Sequence, residues 1–93
     1  MKTKDAIKVA QEVFAAEPII SRVEGHFMTI KEETNYIDLT IFFDGERSEG
    51  DSRIVRLALE FMRRVKDVPV EFMTLPTSMV EKSHDGTLVY SRD

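Results

Sequence analysis

The chain has 93 residues, 42% hydrophobic and 32% charged, with 17 acidic against 13 basic side chains and a formal net charge of −4. That is the length of a single domain, residues 1–93, with a core but no second lobe. There is no cysteine, which excludes disulfides, thiolate catalysis and zinc ribbons, and the acidic balance disfavours non-specific nucleic-acid binding, which needs cations to neutralise phosphates.

Met1 to Asp5 leads into an amphipathic segment and not a continuous apolar signal region. No apolar run approaches the roughly 20 residues of a membrane-spanning helix, so a cytoplasmic protein without membrane association is expected. Ala6, Ile7, Val9, Ala10, Val13 and Phe14 follow helical spacing, with Thr3 as N-cap. Pro18 ends that helix near Ala16, because it biases Glu17 away from helical angles. Ile19, Ile20 and Val23 open a strand that ends at Gly25 or runs as far as Ile30. Gly25 marks a bulge or a point where the backbone approaches something closely.

After the polar connection Lys31–Asn35, a strand alternates cleanly, with Ile37, Leu39, Ile41 and Phe43 on one face and Tyr36, Asp38, Thr40 and Phe42 on the other. Residues 44–50 read as a loop. Asp51 or Ser52 caps a second helix to about Lys66, with an apolar stripe of Ile54, Leu57, Ala58, Phe61, Met62 and Val65. Val68 to Leu75 is a strand that Pro69 assigns to an edge or a strand start. Ser78 and Glu81 have capping-box spacing for a short helix to about His84, Gly86 reads as its left-handed stop, and Thr87–Tyr90 is extended.

Asp38 and Glu71 each point away from their strand's apolar set. Acids there are usually solvent-facing; on neighbouring strands they also form a pair of hard oxygen ligands suited to Mg²⁺ bound with phosphates. His26 and His84 lack metal-ligand spacing. Arg53, Arg56, Arg63, Arg64 and Lys66 read as a solvated helix face first and a phosphate surface second, with Glu60 placed to pair with Arg56 and Arg64. Thr77 and Ser78 read as caps and not nucleophiles. Tyr36 and Phe42, on the face away from the core, are expected to be exposed aromatics that stack on a base, cover a second layer or form a dimer interface.

Ile20-Ser21-Arg22-Val23-Glu24-Gly25-His26, Tyr36-Ile37-Asp38-Leu39, Val70-Glu71-Phe72-Met73 and Gly86-Thr87-Leu88-Val89-Tyr90 together resemble the minimal nucleotidyltransferase family. The resemblance spans nearly the whole chain. It implies an α+β fold of two layers, a small mixed sheet of three or four strands with helices mainly on one face. Two family positions are altered: His26 stands where the family has serine, and Tyr36 where it has its first metal-binding acid. The resemblance therefore implies a degenerate active site without catalytic residues. Asp38 and Glu71 carry over as metal ligands for Mg²⁺, and Asp38, Glu71, Gly25 and His26 as a nucleotide- or cofactor-binding set. The protein so implied is a non-catalytic module that binds a nucleotide or a protein partner.

A second arrangement, with Gly25–Ile30 pairing with Tyr36–Phe43 through a turn around Glu32-Glu33-Thr34, is similar to the cytoplasmic domain of cation diffusion facilitators. It implies a ferredoxin-like homodimerisation module that ignores nucleotides.

Overall fold

The computed structural model describes residues 1–45, 47–82 and 86–92, and side chains at all of these except 47–51 and 81–82. Its elements run α1 (Thr3–Phe14), β1 (Ile20–Ile30), β2 (Glu33–Phe43), α2 (Arg47–Arg64), β3 (Val70–Pro76), a 3-10 turn η1 (Thr77–Lys82) and β4 (Thr87–Ser91). The four strands form one mixed sheet in the order β3-β2-β1-β4. β1 is antiparallel to both β2 and β4, and β2 is parallel to β3. A parallel neighbour needs a crossover connection, which α2 supplies.

The long reading of the first strand holds: β1 continues through Gly25 to Ile30 and turns straight into β2. The turn is only Lys31 and Glu32, both left-handed, with φ of 53° and 70°. Positive φ at both central residues suits the right-handed twist of the strands, but an L side chain there is strained. A register shift between Met28 and Thr29 then sets which residues face the helices.

One face of the sheet carries the core. Ile37, Leu39, Ile41 and Phe43 are fully buried, as their alternation requires, against Ala6, Ala10, Val13 and Phe14 of α1, Ile54, Ala58 and Phe61 of α2, and Val65 just after it. Full burial of one such large side chain contributes roughly 1.5–3 kcal/mol. The Phe14 and Phe61 rings meet between the helices at 6.0 Å, tilted by 35°, a geometry that adds about 0.5–1.5 kcal/mol. Arg64 reaches across to Glu12 of α1 at 2.7 Å. Glu60 pairs with Arg63 and not with Arg56 or Arg64, because Arg64 is turned toward α1.

Several sequence expectations change. Lys2, not Thr3, is the N-cap of α1, and it offers no side-chain bond. The Thr3 hydroxyl instead meets that of Thr34 at 3.0 Å, tying the helix start to β2. α2 begins at Arg47, ahead of Asp51 and Ser52. Gly86 is not left-handed. Its requirement is space: a Cβ there would sit 3.1 Å from the Gly25 nitrogen and 3.2 Å from Glu24 Cβ. The C-terminal segment is a true strand, and Gln11 Nε2 donates to the Val89 carbonyl at 3.1 Å to hold it. At the far end of β2, Asp44 accepts from Thr77 at 2.7 Å and from Arg92 at 2.6 Å. Those two bonds hold the Asp44 carboxyl below its usual value. Ser21 shares the Thr77 hydroxyl at 2.6 Å, so β1, β2, η1 and the tail after β4 are joined at one point.

Replacing Lys31-Glu32 by Asn-Gly relieves the left-handed strain and suits the turn type. Thermal unfolding should then shift upward by the equivalent of about 1 kcal/mol; an unchanged or lower midpoint would show that this turn carries no such strain.

Candidate functional site

The parallel register sets Asp38 opposite Glu71, and the antiparallel register sets His26 opposite Asp38. Three polar side chains from β1, β2 and β3 thus form one row across the sheet, on the face away from α1 and α2. All three residues are exposed. Tyr36 lies two residues before Asp38 on the same face and is half-buried. Hydrogen bonding toward the Glu71 carboxylate chiefly, then burial and the charges of Glu71 and Asp38, push its phenol up to about 12. The hydroxyl therefore remains a donor at any physiological pH.

Beside this row is a recess of about 210 Å³ lined by Glu24, Gly25, His26, Asp38, Thr40 and Met73, with Gly86 at its edge. Pockets that enclose a small ligand run to roughly 300–1,000 Å³, so this one takes a single ring or headgroup. Glu24 is the member that sequence reasoning missed. It is only 3% exposed and accepts from Arg22 Nε at 2.7 Å. Burying a carboxylate is costly without such a charged partner. The alternation Arg22, Glu24, His26 along β1 was the available signal: three polar residues at strand period on one face.

Gly25 stands at the recess, but its bare Cα faces the core. A Cβ there would meet the Phe27 ring at 2.9 Å and Leu39 at 3.1 Å. The close approach read from sequence is thus core packing on one side and the Gly86 contact on the other. Phe42 departs from expectation: it is fully buried on the outer face of β2, where η1 packs against β2 and β3. Only Tyr36 of the two aromatics is accessible. Asp44, Glu32 and Glu33, the other acids near the strand, are engaged at the strand ends with Arg92, Lys2 and the N-terminus. His84 lies outside the described residues. Among the described residues, no group of three or more His, Asp or Glu converges closely enough to hold a metal ion.

The pH dependence of the Tyr36–Glu71 interaction follows from its sign. The phenol is raised above its ordinary value of 10.0, so the interaction contributes in full below about pH 10 and is lost as pH rises through about 12. Following the phenolate band in a pH titration should show one tyrosine ionising near the upper value. Glu71→Gln should bring that transition down toward the ordinary value, and an unmoved curve would place the phenol elsewhere.

The sequence matches no protein-family model and no curated protein. Among solved structures, the fold is similar to that of a "putative nucleotidyltransferase" from Sulfolobus solfataricus, with a TM-score of 0.63 and 19% identity over 96% of this chain and 79% of the other. At that identity the likeness speaks for architecture. The four-stranded mixed sheet with two helices on one face is a nucleotidyltransferase-like fold.

Proposed function

We propose that this chain is a non-catalytic, nucleotidyltransferase-like binding module whose outer sheet face takes a nucleotide at His26, Asp38 and Glu71. The observation that carries the reading is the place of the neutral Tyr36 phenol, on the same sheet face as the Asp38–Glu71 pair. Two-metal phosphoryl chemistry needs several carboxylate oxygens converging on both ions. Here a neutral phenol occupies the expected position of one acid and interacts with another. A resident pair of Mg²⁺ ions does not fit this donor set, and no transfer step is drawn through one. A single Mg²⁺ carried in on the nucleotide's own phosphates asks less of the protein, since such ions keep most of their water and take one or two carboxylates. Asp38 and Glu71 supply those. The small recess beside Thr40 then seats one group of the ligand, and the rest lies along β2 and β3.

A second reading has its own support. Met28, Met73 and Leu88 on this face, and Ile30 at the hairpin end, are between 49% and 62% exposed. Large apolar side chains around a polar centre also suit a protein partner. Fold alone does not choose between the two.

Titrating Mg²⁺ and ATP into isotopically labelled protein separates them. Binding should move amide resonances of β1, β2 and β3 around His26, Asp38 and Glu71, and Asp38→Asn should weaken the response. Shifts absent from those strands, or unaffected by Asp38→Asn, would remove the nucleotide and leave the protein partner. Tyr36→Asp should restore an acid and release Glu71, tightening Mg²⁺ binding on the order of tenfold by calorimetry; an unchanged affinity would mean that the phenol is not what weakens the site.

A further inference from the structure

The outward side of α2, remote from the polar row, carries a surface that neither the core nor the proposed site uses. Val55 and Leu59 are 39% and 56% exposed, one helical turn apart, although α2 already buries Ile54, Ala58 and Phe61 in the core. They lie on the row Val55-Leu59-Arg63, and the row Ser52-Arg56-Glu60 runs beside it; a groove opens between the two. Rows spaced by four residues are the ridges that pack helix against helix in the commonest crossing class. The flanking charges have both signs, with Arg56 one turn before Glu60.

We infer that this groove is the interface of a homodimer in which α2 packs on α2 of a second copy. The charge order selects a second copy over an unrelated partner. An isologous contact requires a patch that complements itself. Aligning the Ser52-Arg56-Glu60 rows of two copies antiparallel crosses the helices at about 50°. That alignment sets Arg56 of each chain against Glu60 of the other, with Leu59 from both chains near the axis. Glu60 keeps its contact with Arg63 of its own chain and gains a second cation across the axis. A parallel alignment would instead stack Arg56 on Arg56 and Glu60 on Glu60. The contact is one helix wide, so it belongs with the weak interfaces under about 1,200 Å², with a dissociation constant on the order of tens of micromolar.

Sedimentation equilibrium of the full chain over a concentration series tests this. The wild type should move from monomer to dimer, and Leu59→Glu should weaken association by at least about tenfold with an unchanged far-ultraviolet spectrum. Arg56→Glu and Glu60→Arg should each be monomeric alone, since each places like charges across the axis. Mixed in equal amounts they should form a heterodimer, because both cross-axis pairs are then opposite in sign. A purely structural role of these residues gives no such rescue. A wild type that stays monomeric to roughly millimolar concentration, a dimer indifferent to Leu59→Glu, or a mixture that stays monomeric overturns the proposal. Wild type that stays monomeric while a different protein occupies the groove also overturns it. None of these variants touches the polar row, so the nucleotide titration stands or falls separately.

Discussion

A slip of one residue in the pairing of β1 with β2 would turn Glu24 and His26 into the core and Val23 and Phe27 out of it. The hairpin register therefore governs everything built on the sheet. It is held at one end by a turn of two left-handed residues, Lys31 and Glu32, and at the other by Asp44, whose backbone N–H donates to the Ile19 carbonyl at 2.8 Å. Between those ends, the buried set of β2 can face only α1 and α2. His26 and Asp38 then share the opposite face as a matter of parity. The parallel addition of β3 extends the row to Glu71.

The row sets a neutral phenol, Tyr36, on the same face as two carboxylates, Asp38 and Glu71. A carboxylate at position 36 would repel Asp38 and Glu71, and a divalent ion would relieve the repulsion. A phenol there adds no charge to repel them. Compared with an acid at that position, a phenol lowers the local negative charge and covers part of the face with a ring, which is the basis of the binding role proposed above.

Much of this architecture was legible from residue spacing. The clean alternation from Tyr36 to Phe43 gave β2 and its buried face, and the i, i+3, i+4 stripes gave both helices. The row of Asp38 with Glu71 followed once the strands were neighbours. Five features escaped for identifiable reasons. The tightness of the hairpin was hidden because Lys31 and Glu32 are poor left-handed residues and carry no turn signature. Glu24 was passed over because its burial depends on Arg22 two residues earlier, a contact across a strand's own face. Phe42 looked exposed by parity, and only the placement of η1 on that face buries it. Gly86 needed its small size for a long-range contact with Gly25, which local rules cannot see. Val55 and Leu59 were simply outside the core stripe, where periodicity has nothing to say.

β3 lies at the rim of the sheet, with one side of its backbone unpaired by any other strand among the described residues. Such a rim invites another extended chain to zip onto it. Pro69 immediately precedes the strand and Pro76 closes it, and neither has an N–H to offer an incoming strand. The open stretch between them is thereby kept to a few residues. In a sheet this small, with its hydrophobic layer covered on one side only, an imino acid at each end of that border works against strand-by-strand polymerisation.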